Sequence, residues 1–181
     1  MLTLADKLGI EARTSPLLEK SRALGLASSA ELEGLAVARG CWHYRSPDLI
    51  PAPEVSESDF TNEELAVALL SPMQPYSPHT IRLGAAMLGA AGNEAAKLVQ
   101  LILAEGCLAP ARYIASAALR FEPDNPFWHQ LLDRLPETPP VAEGVMPHPT
   151  RFVSMAGMTR GGLRPVTVWI RPRPDLALAH G

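Results

Sequence analysis

The sequence lacks the features by which several large classes of protein are recognised. It has only two cysteines, Cys41 and Cys107, which lie far apart and in no motif, so a disulfide framework is excluded and a reducing compartment is favoured. No apolar run approaches the roughly 20 residues that a membrane-spanning helix needs. Residues 1–7 lack a basic region followed by an apolar core. We therefore expect a cytoplasmic protein that does not enter a membrane.

Aromatic residues and net charge are also low. Aromatic side chains make up 6% of the chain, so leucine and alanine must form most of the core. The net charge is −3, which is not the strongly basic balance typical of a nucleic-acid-binding protein. The 181 residues, 47% of them hydrophobic, are enough for a folded domain with its own core.

Motifs of nucleotide binding and hydrolysis are missing as well. There is no GxGxxG and no GxSxG. Gly157 and Gly162 have the spacing of a phosphate-binding loop, but Leu163 and Arg164 stand where that loop needs lysine followed by serine or threonine. We interpret these glycines as part of a hairpin loop, and we predict no cofactor.

No catalytic or metal-binding arrangement stands out among the histidines and cysteines. No two of the five histidines have the i, i+3 or i+4 spacing of a helical metal site. Cys41 and His43 are two residues apart, so activation of a thiolate is conceivable. The alternative, which we prefer, is a cysteine packed at a helix end. We therefore predict a non-catalytic protein without a bound metal.

What the sequence does contain is a dense series of helix start signals. Ser28 with Glu31, and Thr61 with Glu64, have the spacing of capping boxes. Ser15 and Ser77 each precede a proline, which favours the first position of a helix. Thr3 is expected to cap a helix that ends at about Ala12.

The signals continue through the second half of the helical region. Asn93 is expected to cap a helix that Gly106 ends, Pro110 to begin the next helix, and Asn125 with Pro126 to begin the last one before Pro136. Beyond this point two short apolar runs, 151–155 and 166–170, alternate as strands do, and glycines lie between them.

These patterns predict a mainly α protein with a C-terminal β-hairpin. Three N-terminal helices are expected to pack with a right-handed antiparallel array of five more, about eight in all. The predicted segments are a three-helix segment (1–40), a proline-rich acidic linker (41–60), a helical-hairpin core (61–135), a second proline-rich linker (136–149), an arginine-rich hairpin (150–172) and a tail (173–181).

The helical core also has a repeating spacing. Alternate helices are expected to begin near residues 61, 93 and 125, which are 32 residues apart, close to the roughly 34 residues of tetratricopeptide repeats. Within 93–135, the stretch 118–128 has a small residue, Ala118, five positions before the turn proline Pro123, and aromatics follow. It resembles a junction between tetratricopeptide repeats. The resemblance implies a stacked-helix scaffold that offers a groove to a peptide or protein.

The densest group of recognition-type residues is Trp42, His43, Tyr44 and Arg45. Aromatic residues beside arginine are enriched in protein-binding hot spots. The alternative is that Trp42 and Tyr44 anchor this segment on the helices. We treat Trp42, Tyr44 and Arg45 as candidate partner-binding residues with both interpretations open.

The charges are distributed unevenly along the chain. No lysine or arginine lies between Arg45 and Arg82, a stretch with six acidic residues. From residue 145 onward there are one aspartate, Asp175, and five arginines: Arg151, Arg160, Arg164, Arg171 and Arg173. These arginines could dock on the chain's own acidic segment, on another subunit, or on an acidic partner, including a phosphate backbone. They could also form a solvated face.

The functional hypothesis that follows is a non-catalytic protein–protein interaction module, either an adaptor or a subunit of a larger assembly. It expects a protein partner or self-association. The alternative is an accessory protein that binds nucleic acid through the C-terminal arginines. A third class, a helical domain that binds a small molecule, requires a pocket that sequence patterns do not reveal.

Overall fold

The computed structural model describes residues 1–158, 161–162 and 165–175. In this part, two 3-10 helices (Trp42–Tyr44 and Pro149–Phe152) accompany eight α-helices and two strands. These are α1 (Leu4–Leu8), α2 (Pro16–Ala23), α3 (Ser29–Ala38), α4 (Asn62–Leu69), α5 (Pro78–Leu88), α6 (Ala95–Glu105), α7 (Leu108–Phe121), α8 (Pro126–Arg134), β1 (Val153–Met158) and β2 (Pro165–Trp169). The strands pair in antiparallel orientation. The predicted fold class is therefore confirmed.

Most of the predicted helix starts are confirmed at the level of single hydrogen bonds. The side chains of five residues predicted at helix starts accept a backbone N–H from the first turn of their helices: Thr3, Ser15, Thr61, Ser77 and Asn125. Ser28 donates its own backbone N–H to Glu31 at 2.9 Å, as a capping box requires. Helix type and position were thus encoded locally.

The end of α1 and the cap residue of α6 differ from the prediction. Helix α1 ends before Gly9, whose φ of +68° is left-handed and stops the helix well short of Ala12. Asn93 does not cap α6, because its side-chain amide donates to the carbonyl oxygens of Met87 and Leu88 at the end of α5. The cap residue of α6 is Glu94.

Helix α7 also begins earlier than predicted. Its first residue is Leu108, so Pro110 lies within the first turn instead of opening the helix. A proline is tolerated there because the first N–H groups of a helix have no partner inside it.

Helix α4 lies at the centre of the core. Residues 65–70 are each at most 1% exposed, and α4 packs against α2, α3, α5 and α6. Helix α8 packs against both α6 and α7. Because other helices surround α4, residues 65–70 can be apolar on every side of the helix, and this accounts for their uninterrupted apolar run.

The 41–60 segment crosses the helices in extended form and packs on them. A side chain at Gly34 of α3 would come within 2.3 Å of the Ile50 carbonyl oxygen, so only glycine lets the segment approach this closely. Phe60, at the end of the segment, is fully buried. The segment thus forms one wall of the molecule instead of standing apart from it.

The C-terminal hairpin is anchored on the helical body through aromatic rings. The Trp169 ring lies 5.3 Å from Trp128 of α8 and 5.4 Å from Phe152 between ring centres, and all three side chains are buried. Strand β1 begins at Val153, later than predicted, so Arg151 lies in a 3-10 helix and not in the strand. Docking within the same chain is how this small hairpin is stabilised.

The capping box of α4 gives a first testable prediction. Thr61 accepts the Glu64 N–H at 3.1 Å, and Glu64 accepts the Thr61 N–H at 2.8 Å. Thr61→Ala removes the accepting hydroxyl and is expected to lower the free energy of unfolding by about 1 kcal/mol. Urea denaturation measures this, with Thr61→Ser as the control that keeps the cap. An unchanged midpoint in Thr61→Ala would contradict the role of the cap.

Candidate interaction surface around residues 42–45

The four residues from Trp42 to Arg45 are divided between the interior and the surface. Tyr44 is 7% exposed, and its hydroxyl donates to the Arg151 carbonyl oxygen at 2.8 Å. Burial raises the pKa of Tyr44, so the hydroxyl remains a donor at neutral pH. Tyr44 therefore connects the 3-10 helix at Trp42–Tyr44 with the start of the hairpin, and it acts as an anchor.

Trp42 and Arg45 lie on the outer side of the same turn. The guanidinium carbon of Arg45 lies 5.2 Å from the Trp42 ring centre, within the range of a cation–π contact. Arg45 is exposed and Trp42 is half-buried. The contact holds the arginine over the indole, so the pair presents an apolar surface next to a fixed positive charge.

This pair lines a groove of about 650 Å³. We call it the Trp42 groove. One wall is the last part of α3 and the other is the proline-rich segment, and the lining residues are Gly34, Val37, Ala38, Trp42, Arg45, Ser46, Pro47, Leu49, Pro51 and Ala52. Among these described residues Arg45 carries the only charge. An apolar groove with one oriented charged group is typical of sites that bind an organic group or a peptide side chain.

Arg45 also lines a second, polar cavity of about 350 Å³, which Tyr44 lines as well. We call it the basic cleft. Its lining residues are His43, Tyr44, Arg45, His79, Arg82, Thr150, Arg151 and Val153. The Trp42 groove and the basic cleft are thus neighbouring sites that share one arginine.

Two of the predicted C-terminal arginines, Arg171 and Arg173, line one cavity together with Trp42 and His43. Arg171 is held within the chain: its two terminal nitrogens contact the Glu122 carboxylate at 2.7 and 2.9 Å, and its Nε donates to the Gly89 carbonyl at 2.9 Å. This contact lies at the end of α7, not on the acidic 41–60 segment. Arg171 therefore docks on a carboxylate of its own chain, and not on another subunit or a separate partner.

The other C-terminal arginines have different surroundings. Arg173 is exposed and pairs with Asp175 at 3.0 Å, while its backbone N–H donates to the Gly40 carbonyl. Arg151 is exposed and lines the basic cleft. Arg160 and Arg164 lie outside the described residues. The structure therefore places Arg151 in the basic cleft, and Arg171 and Arg173 in a different cavity that Trp42 and His43 also line.

The two thiols are not placed for chemistry. Cys41 and Cys107 are buried, and burial raises the pKa of each to about 12. A thiol with such a pKa is a poor nucleophile at neutral pH. Cys41 lies 3.4 Å from the Met87 sulfur, whereas the His43 ring packs on Tyr44.

The described ranges lack a metal-binding cluster and a membrane-spanning helix. Within them, no group of three or more histidine, cysteine, aspartate or glutamate side chains could hold a metal ion. No helix there is both long and apolar enough to span a membrane. Comparison with known protein families, with curated proteins and with solved structures found no match to this chain.

Sequence reasoning missed several residues of this surface. His79 and Arg82 reach the basic cleft from α5, more than 30 residues from Trp42, and no local pattern links the two segments. Gly34 and Ala38 in α3 were a weak sequence indication of the groove wall, since small residues in a helix permit close approach of another backbone. Only the packing of the 41–60 segment on α3 turns those residues into a site.

Proposed function

We propose that this protein is a non-catalytic interaction module whose partner-binding surface is the Trp42 groove. The observation that carries the proposal is the groove itself: an apolar cavity with Trp42 on one side and the Arg45 charge fixed against that ring. Tryptophan and arginine in this arrangement are the side chains most often found at binding hot spots.

The partner that best complements this surface is a protein segment with an apolar side chain followed by an acidic one. The apolar side chain would fill the space between Val37 and Leu49, where water is poorly accommodated. The acidic side chain would contact Arg45, whose guanidinium forms no ion pair with a described residue. Arginine favours such paired contacts with carboxylates.

A scaffolding role agrees with the remainder of the chain. Helices α4 to α8 are proposed to act as a tetratricopeptide-like support, with the 41–60 segment presenting the groove on their outside. A cytoplasmic location belongs to the same proposal.

The test compares two alanines that are each the exposed last residue of an α-helix. Ala38 ends α3 and lines the groove, whereas Ala23 ends α2 and does not. We expect the tagged protein, purified from its source cells, to retain a stoichiometric protein partner. Ala38→Glu should lose that partner, because a carboxylate in the groove occupies the space and repels an acidic segment, and Ala23→Glu should retain it.

Size exclusion with light scattering and identification of the eluted proteins give the readout. Equal retention by Ala38→Glu and Ala23→Glu would contradict the groove as the binding surface. A wild-type monomer without any bound protein would contradict the proposed function. Retained nucleic acid that is lost steeply with added salt would favour the alternative function, binding of nucleic acid through the C-terminal arginines.

A further inference from the structure

The basic cleft collects positive charge from three separate parts of the chain. Arg45 follows the first 3-10 helix, Arg82 belongs to α5, and Arg151 lies in the second 3-10 helix. Two histidines, His43 and His79, complete the polar lining. No carboxylate is among the described residues that line this cleft, so its charge is of one sign.

The buried Tyr44 side chain contacts four of the residues that line the cleft. The His43 and His79 rings meet the Tyr44 ring edge to face, with ring centres 5.2 and 6.4 Å away. The Arg82 guanidinium carbon lies 5.8 Å from the same ring centre. The Tyr44 hydroxyl fixes the Arg151 backbone at 2.8 Å. A buried ring with four such contacts forms a preorganised floor for the cleft.

The positive charge of the cleft is not compensated within the described chain. The guanidinium groups of Arg45, Arg82 and Arg151 form no ion pair with any described residue, and the buried Arg82 Nε has no hydrogen-bond partner there. That nitrogen is closed to solvent, so a bound anion would contact Arg82 through its terminal guanidinium nitrogens.

We propose that the basic cleft binds a phosphate monoester group. A phosphate monoester carries a charge of about −1.5 to −2 at neutral pH and three strong acceptor oxygens, which matches a cleft that three arginines from separate segments line. A single carboxylate offers less charge and fewer oxygens. Arginine is favoured at such sites because its planar fork contacts two oxygens at once.

The surroundings favour an isolated phosphate group over a polymer of phosphates. The chain that continues from Arg45 carries exposed acidic residues at Asp48, Glu54, Glu57 and Asp59. A polynucleotide needs a continuous basic track for its backbone, and the segment that continues from Arg45 has no lysine or arginine before Arg82. The phosphate could belong to a small phosphorylated molecule or to a phosphorylated side chain.

The test uses isothermal titration calorimetry with inorganic phosphate, O-phosphoserine and serine. We expect saturable binding of both phosphate compounds and none of serine. Arg151→Gln and Arg82→Gln are each expected to weaken the affinity about 10-fold or more, as is usual for loss of a hydrogen bond between charged groups. Arg134→Gln, an exposed arginine on α8, is the control and should bind as the wild type does.

Comparison of the two phosphate compounds identifies the source of the phosphate, and melting curves show whether a variant is misfolded. Tighter binding of O-phosphoserine than of inorganic phosphate indicates a phosphorylated side chain, and equal affinities indicate that the cleft contacts the phosphate group alone, as it would in a small phosphorylated molecule. Arg151→Gln changes an exposed side chain, so its circular dichroism melting curve should match that of Arg134→Gln. The proposal is overturned if the wild type binds neither compound, or if Arg134→Gln weakens binding as much as Arg151→Gln.

The basic cleft shares Arg45 with the Trp42 groove, whereas Arg82 and Arg151 line the cleft and not the groove. Arg82→Gln and Arg151→Gln therefore leave every lining residue of the groove in place. We expect both variants to retain the protein partner while their affinity for phosphate falls about 10-fold or more. Loss of phosphate binding with intact partner binding would separate the two surfaces, and loss of the partner in both variants would contradict this separation.

Discussion

Trp128→Ala is expected to destabilise the folded chain by about 3–5 kcal/mol, the usual cost of truncating a buried aromatic side chain. Trp128 is fully buried, and its ring centre lies 4.9 Å from Phe127 and 5.3 Å from Trp169. Its indole N–H donates to Glu122 at 2.7 Å. The substitution therefore leaves a cavity between the helices and the hairpin, and an acceptor without its donor.

Denaturation in guanidinium chloride, followed by circular dichroism, measures this effect. Trp128→Phe serves as the matched variant, because it keeps an aromatic ring and removes only part of the volume and the N–H. We expect it to lie between the wild type and Trp128→Ala. A change below about 1 kcal/mol for Trp128→Ala would be the cost of a surface substitution and would contradict the buried position of this ring.

Glu122→Gln is expected to lower the free energy of unfolding by about 2 kcal/mol, a value reduced from that of a fully buried ion pair because both partners are partly exposed. The Glu122 side chain is 20% exposed and that of Arg171 28%. The carboxylate accepts hydrogen bonds from Arg171, Asn125 and Trp128. It therefore connects the end of α7, the start of α8 and the segment after β2.

The same carboxylate gives a pH dependence with a defined sign. Burial raises the pKa of Glu122, but the hydrogen bonds from Arg171, Asn125 and Trp128 outweigh it and bring the pKa to about 2, below the ordinary 4.5. The unfolded chain therefore takes up this proton at a higher pH than the folded chain. The stabilisation is fully present above about pH 4.5 and is lost as the pH falls toward about 2.

Unfolding measured between pH 6 and pH 2.5 would test this. Glu122→Gln should lose less stability across this range than the wild type does, since it has no proton to gain at this position. Glu137→Gln, a change at an exposed glutamate, should follow the wild-type curve. Parallel curves for Glu122→Gln and the wild type would show that the ion pair does not contribute to the acid sensitivity.

The helices were predictable because their signals are local. Thr61 with Glu64, and Ser77 before Pro78, act within one turn, and both are seen as hydrogen bonds. Asn93 was assigned to the wrong helix because its amide can satisfy carbonyls behind it as well as N–H groups ahead of it. Such a residue has two possible local roles, and tertiary packing chooses between them.

The candidate sites were predictable only in part. The sequence indicated Trp42, Tyr44 and Arg45 as a group, but the side of the turn on which each lies depends on contacts with α3 and with Arg151. His79 and Arg82 joined the group through the packing of α5 against the 42–44 turn. Arg171 was expected among the binding residues, but in the structure it pairs with Glu122. These two residues are 49 positions apart in the sequence, so no local pattern indicated the pair.

The burial of both thiols has a practical consequence for chemical labelling. Cys41 and Cys107, with pKa values of about 12, should react slowly with maleimides, which attack the thiolate of accessible cysteines. A single cysteine introduced at an exposed site, for example by Ala23→Cys, would therefore take up a fluorophore or spin label selectively in the native protein. A label can thus be attached away from both proposed sites without replacing either native cysteine.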